Sequence, residues 1–298
     1  MNIVLIAAAG TGMRAMPNKE VVIASNRYFE ASIEGDLCIP KQYQLISQQT
    51  MVLTETIRKF LLVPSIDFVQ VIINPNHSKL YDRMLSQLMH STRVQSKAEQ
   101  REGQMERDEH REVSREEQRE QSTNTRILLP CFGGGTRQES VYNGLKALRG
   151  IAPINVLVHD AARPFVSDTV INNVLALLNG HETGKQPRKG DVDENIRSSE
   201  KENIAVDVGL SVIDSLRSRS GDNIDRENLY HVQTPQGFRY ETLWRLHQQA
   251  RNDRFTCSDD IALCVRYSVP YGFVEGESCN YKITTRYDIN HARSDYNL

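Results

Sequence analysis

The chain has 298 residues, a net charge of −2 and 39% hydrophobic residues, enough for a real core in one large domain or two small ones. A chain so near neutrality carries no basic footprint for nucleic acid, which excludes DNA or RNA as a default partner. Its five cysteines, Cys38, Cys131, Cys257, Cys264 and Cys279, form no CxxC pair, which argues for a reducing compartment and against a disulfide framework or a structural zinc site.

No apolar run approaches the roughly 18 residues of a membrane span. The chain starts almost directly on its first strand, so no leader peptide is expected. A soluble, cytoplasmic α/β protein is the expectation.

In chain order, strand patterns fall at Ile3–Ala7, Phe68–Asn74, Arg126–Phe132, Val156–His159 and Ile204–Val208. Helical patterns lie between or after them at Met51–Leu62, Ser78–Met89, Ser140–Leu148 and Thr169–Leu178. Such alternation predicts a doubly wound, mainly parallel sheet. After about Gly209 the rhythm changes, and the polar turn around Ser218–Asn223 predicts a hairpin or arm leaving the sheet, over about 209–228. Later helices are expected at Glu241–Arg251, Ser258–Tyr267 and Asp288–Ser294.

Three polar excursions interrupt this pattern, at about 17–39, 95–124 and 180–203. The middle one is nearly all Glu, Gln, Arg and Ser. As a helix it would stack Arg107, Arg111, Arg115 and Arg119 beside Asp108, Glu112, Glu116 and Glu120, repelling along each row and attracting across them. Disorder or an exposed excursion is the reading, with a partner-binding helix as the alternative. Without the three excursions about 220 residues remain, suited to a single α/β domain.

Two strands end in small residues plus a charge: Ile3 to Ala9 runs into Gly10-Thr11-Gly12-Met13-Arg14, and Val156 to His159 into Asp160-Ala161-Ala162-Arg163. Uninterrupted apolar runs suit parallel strands covered on both faces, and ligands bind beyond the carboxyl ends of such strands. Gly10, Gly12, Arg14, Asp160 and Arg163 are therefore candidates for one nucleotide-phosphate site. The first loop fits GxGxxA, a dinucleotide fingerprint, or a triphosphate-wrapping loop with Arg14 neutralising charge, or a plain tight turn. Lys41 gains interest only from its relation to that loop. Three glycines, Gly133 to Gly135, allow close backbone approach to a ligand, and Ser140 reads as the N-cap of the helix that follows. Asp160 could hold a hard cation such as Mg²⁺ or simply pair with Arg163. His159 reads as a packed core histidine. Gln233 to Gln236, Ser258 to Asp260 and Gly276 to Thr284 read singly as surface or loop, with Arg226 and Lys282 as cations able to grip a second anion.

Together and in order, AAAGTGMR, PKQY, GGGTRQESVYNGL, VHDAARPFV, DRENLYHVQTPQGF, SDDIAL and EGESCNYKIT resemble the 2-C-methyl-D-erythritol 4-phosphate cytidylyltransferase family. The related ribitol 5-phosphate cytidylyltransferases share much of the pattern. The resemblance implies a Rossmann-like nucleotidyltransferase with a protruding arm that interlocks a homodimer, using CTP, a sugar-alcohol phosphate and Mg²⁺. It implies Ala8, Ala9, Gly134, Gly135 and Ser140 around cytosine and ribose, Arg14 and Lys41 as catalytic cations, and Asp160 on the magnesium side. Arg163, Ser215, Arg226 and Lys282 would surround the methylerythritol phosphate. Ser215 stands where the family usually has threonine, and Lys19 is a rival for the role of Lys41. The other readings open to the sequence are an NAD(P)-dependent oxidoreductase and a non-catalytic nucleotide-binding protein.

Overall fold

A strand whose successive side chains are all apolar must be covered on both faces, and β1 (Asn2–Ala8) is. Val4, Ile6 and Ala8 enter one core, while Ile3 and Leu5 enter the other. The computed structural model describes residues 1–10, 39–89, 126–181 and 204–296. Gly12, Arg14 and Lys19, the 95–124 excursion and nearly all of the other two excursions lie outside these residues.

The remaining strands are β2 (Phe68–Ile73), β3 (Cys131–Phe132), β4 (Asn155–Asp160), β5 (Ala205–Ser211), β6 (Leu216–Arg217), β7 (Asn223–Ile224), β8 (Tyr230–Arg239) and β9 (Gly272–Glu275). Seven of them form one sheet in the order β3-β2-β1-β4-β8-β5-β9. All pairings are parallel except those of β8 with β4 and β5. Helices α1 (Val52–Leu62), α2 (residues 78–89) and α4 (Asp168–Leu178) cover one face through Ile57, Phe60, Met84, Val174 and Leu178. Helices α3 (Arg137–Ala147), α5 (Tyr240–Asn252) and α6 (Ile261–Arg266) cover the other through Val141, Leu145, Leu243, Leu246 and Leu263. The mainly parallel, doubly wound reading therefore holds. Among the described residues no helix is long and apolar enough to cross a membrane.

Strand order reverses at β1: the chain steps from β1 to β2 and β3, then returns to place β4 on the other side. The tips of β1 and β4 flank that reversal, the place where open α/β sheets bind ligands. A small third core of Ile46, Val52, Ala162, Ile283, Ile289 and Ala292 seats α7 (Arg286–Tyr296) beneath it.

Several expectations need correction. The strand expected over Arg126–Phe132 reduces to an isolated bridge at Ile127 and the two residues of β3. Helix α3 begins at Arg137, three residues before Ser140, and its N-cap is Thr136, whose hydroxyl accepts from Glu139 N at 3.0 Å. Thr136-x-x-Glu139 carries the capping-box spacing, with the glutamate reaching back to Gly135 N at 2.8 Å. Helix α6 is shorter than expected, because residues up to Asp260 turn inward before it starts.

The segment after β5 does leave the sheet. From Ser211 to Leu229 no residue is buried, and β6 pairs with β7 as an antiparallel hairpin. Ile213 is 79% exposed on it.

Candidate active site

Three segments meet at the β1 tip. Gln42, in the short turn Lys41–Tyr43, is buried and donates through Nε2 to Ala8 O (2.9 Å) and Gly10 O (2.8 Å). Asn74, just past β2, donates to Ala9 O at 3.3 Å. The third is the glycine-rich loop, which passes so close that a Cβ on Gly133 would lie 2.3 Å from Ala9 Cβ. A Cβ on Gly134 would lie 2.5 Å from Glu139 Cβ, so only glycine fits at either position. Ser140 Oγ braces this loop, accepting from Gly134 N at 3.1 Å and donating to Thr136 O at 2.8 Å.

At the β4 tip, Asp160 is nearly buried and ringed by cations. Lys282 Nζ is 2.7 Å from its Oδ2, Arg163 Nε is 3.7 Å from Oδ2, and Arg137 Nε is 3.6 Å from Oδ1. Burial by itself would raise the carboxyl pKa; Arg137, Lys282 and Arg163 outweigh it and hold Asp160 far below the ordinary carboxylate range. The site thus keeps one fixed negative charge inside a larger positive one.

The cations are held differently. Arg137 donates to the buried Asp260 Oδ2 at 2.7 Å, and Asp260 Oδ1 lies 3.0 Å from His247 Nε2. Desolvation would raise the Asp260 pKa, but Arg137 and His247 bring it down to about 2. Arg163 donates to Asn280 O (2.7 Å) and Val232 O (3.1 Å). Lys282 is 40% exposed at its side chain. Lys41 Nζ donates to Ile283 O at 2.6 Å, which brings the Lys41–Tyr43 turn against the segment that carries Lys282.

Beneath them His159 is fully buried, edge-on to Phe60. A carbonyl can only accept, so the 3.0 Å contact to Arg163 O puts a proton on Nε2. Burial lowers the ring pKa to about 4, so Nδ1 accepts from the Thr234 hydroxyl at 3.0 Å. Thr234 Oγ1 in turn accepts Asp160 N at 3.1 Å. The core-histidine reading of His159 holds.

The sequence model of the 2-C-methyl-D-erythritol 4-phosphate cytidylyltransferase (IspD) family matches residues 110–295, more than half of the chain. The chain belongs to this family. A bifunctional enzyme IspD/IspF of Wolbachia pipientis wMel is 32% identical over 256 residues, covering 86% of this chain and 50% of that protein. The 2-C-methyl-D-erythritol 4-phosphate cytidylyltransferase of Dictyoglomus thermophilum is 36% identical over 157 residues, 53% of this chain and 61% of that protein. This chain spans about half the length of the bifunctional relatives. The fold is that of the crystal structure of 4-diphosphocytidyl-2C-methyl-D-erythritol synthase from Anaerococcus prevotii, with TM-score 0.64 at 20% identity over 100% of this chain and 96% of that one.

Among the described residues of this IspD-family chain, the sequence-predicted candidates fall into two groups. Ala8, Ala9, Gly10, Lys41, Gly134, Gly135, Ser140, Asp160, Arg163 and Lys282 all lie around the β1 and β4 tips. Ser215 and Arg226 lie apart from them on the exposed hairpin, where Arg226 donates to Ile213 O. Gly12 and Arg14 fall outside the described residues.

Of the three segments read as surface or loop, Ser258 to Asp260 and Gly276 to Thr284 are loop, whereas Gln233 to Gln236 lie in β8; none of the three is simply surface. Gln233, Thr234, Gln236, Asp260 and Asn280 are buried, because they hydrogen-bond one another, the backbone or charged partners inside the fold. Sequence reasoning also passed over Gln42 and Arg137. Their one signal was position, Gln42 next to Lys41 and Arg137 directly after the glycines.

Proposed function

We propose that the protein transfers a cytidylyl group from CTP to 2-C-methyl-D-erythritol 4-phosphate, giving 4-(cytidine 5'-diphospho)-2-C-methyl-D-erythritol and pyrophosphate. The observation that carries this reading is the Asp160 carboxylate ringed by Arg137, Arg163 and Lys282 at the strand-order reversal, beside a glycine loop fixed against Ala9. Family membership supports it.

The reaction asks little of a general base. An oxygen of the acceptor phosphate attacks the α-phosphorus of CTP, the bond from that phosphorus to the bridging oxygen breaks, and pyrophosphate leaves with the electron pair. The attacking phosphate oxygen is already anionic at neutral pH. Catalysis is then alignment of two polyanions and neutralisation of developing charge. Ala8, Ala9, Gly134, Gly135 and Ser140 would line the cytosine and ribose pocket. Lys41 supplies a point charge and Arg14 a forked donor set toward the CTP phosphates. Lys282 passes from Asp160 to substrate phosphate, since its other surroundings leave it 40% exposed.

Mg²⁺ fits the donors present. Such a cation in a phosphate site takes one or two carboxylates and completes its shell from substrate and water. Asp160 is held ionised, and its Oδ1 faces Arg137 Nε at 3.6 Å, beyond hydrogen-bond reach. Asp160 would hold the ion, which when bound neutralises and bridges phosphate oxygens.

The hairpin β6–β7 would interlock two copies, bringing Ser215 and Arg226 toward the acceptor phosphate of the neighbouring copy. A cytoplasmic setting suits these soluble substrates.

The test is pyrophosphate release from CTP and Mg²⁺ with methylerythritol phosphate and ribitol phosphate offered separately. Release with the first supports the reading. Release with ribitol phosphate alone moves the acceptor, and silence with both from folded, CTP-binding protein sinks it.

A further inference from the structure

Asp260 is an expensive residue for the fold. It precedes α6 yet makes no side-chain cap there, and it is fully buried. Its two oxygens go instead to Arg137 Nη1 at 2.7 Å and His247 Nε2 at 3.0 Å, and its amide donates to Gln236 Oε1 at 3.1 Å. Buried ion pairs seldom gain net stability over apolar packing, so the pair asks for another explanation.

Arg137 provides one. It is the first residue of α3, directly after the glycine loop. A guanidinium has a rigid fork that pairs two-pronged with a nearby carboxylate. Arg137 nevertheless gives its short contact to Asp260 and faces Asp160 Oδ1 only through Nε at 3.6 Å. Asp160 Oδ2 is taken by Lys282. A full Arg137 pair would therefore occupy the second oxygen as well.

We propose that Asp260 and Arg137 are a positioning pair, in which buried Asp260 holds the Arg137 guanidinium back from Asp160 and keeps Oδ1 open for the incoming cation and phosphate. The inference rests on the reading of this site as one for a nucleoside triphosphate. Arg137 then acts as fixed positive potential beside Asp160, and the pair ties the start of α3 to α5 and β8 through His247 and Gln236.

The first test needs no ligand. In crystals of ligand-free Asp260→Asn, whose amide is a weaker acceptor, an Arg137 nitrogen closes onto Asp160 Oδ1 to about 2.9 Å. Arg137 remaining where it is overturns the inference. The wild type gives a second test, should that variant not fold: with CTP and Mn²⁺ bound, Arg137 Nη1 stays on Asp260 Oδ2, and its transfer to a phosphate oxygen overturns the proposal. Third, Mn²⁺ affinity in the presence of CTP, read by electron paramagnetic resonance, falls about tenfold in Asp260→Asn, the low end for loss of an outer partner of a metal ligand. Adding Arg137→Met to that variant restores most of the affinity. No recovery would make Asp260 merely structural and reject the proposal. Wild-type protein that releases no pyrophosphate sinks the cytidylyltransferase reading, and the ligand-free structure still decides this one.

Discussion

Lys282 Nζ lies 2.7 Å from Asp160 Oδ2, and of the three cations around that carboxylate it has the fewest other ties. Arg137 is fixed on Asp260 and Arg163 on two backbone carbonyls, whereas the Lys282 side chain is 40% exposed. A point charge on a flexible stem can move to a new anion where an anchored fork cannot. Lys282→Met is expected to leave the fold intact and to cut pyrophosphate release by about 100-fold, the scale of one preorganised transition-state donor. Turnover within a few-fold of wild type would remove Lys282 from the machinery.

Lys41 carries a related expectation. Its ammonium contacts Ile283 O, next to Lys282 in sequence. It therefore sits on the same side of the site despite the long segment between Gly10 and residue 39. Lys41→Ala and Arg14→Ala are each expected to lower turnover by at least about 100-fold. Loss in Lys19→Ala with Lys41→Ala silent would reassign the lysine role.

What the sequence made legible follows from how each element is buried. β1 and β4 are apolar on both faces, so their continuous runs and abrupt small-residue ends located the site. β8 escaped detection because its centre, Gln233 to Gln236, buries amides and a hydroxyl rather than alternating apolar side chains. Asp260 gave no local sign of burial, since Arg137 lies 123 residues away in sequence. Ser140 was read as the cap, whereas the glutamate three residues after Thr136 carries the capping-box spacing that marks Thr136 instead.

Two buried groups should give opposite pH slopes. His159 has its folded pKa lowered from 6.5 to about 4 by burial. The unfolded chain therefore takes up the proton first, and stability present above pH 6.5 is lost as pH falls toward 4. Asp207 has its pKa raised from 3.8 to about 6, chiefly by burial, against hydrogen bonds from Gln236, Tyr230 and Val208 N. Its contribution is fully present below 3.8 and lost as pH rises through 6. Each is on the order of 3 kcal/mol, so they largely cancel between pH 4 and 6. Asp160 and Asp260, both lowered, act below that window. Asp207→Asn should unmask the histidine, and urea midpoints should fall steeply from pH 6.5 to 4 where the wild type is flatter. Superimposable profiles would refute the assignment.

The hairpin gives the last prediction. Ile213 and Ile224 are 79% and 42% exposed, Leu229 is 37% exposed, and no residue from Ser211 to Leu229 is buried. A two-stranded hairpin of this size has too little to bury for stability by itself. Pairing with a second copy would cover its apolar residues, and an Ile213→Asp substitution would place a charge in that contact. Sedimentation should show a dimer for the wild type and a shift toward monomer for Ile213→Asp, with unchanged secondary structure. On the proposed function, acceptor KM should rise along with dissociation, because Ser215 and Arg226 would reach the acceptor phosphate from a neighbouring copy. A variant that stays dimeric, or a wild type that is monomeric and fully active, would show that the hairpin does not complete the site.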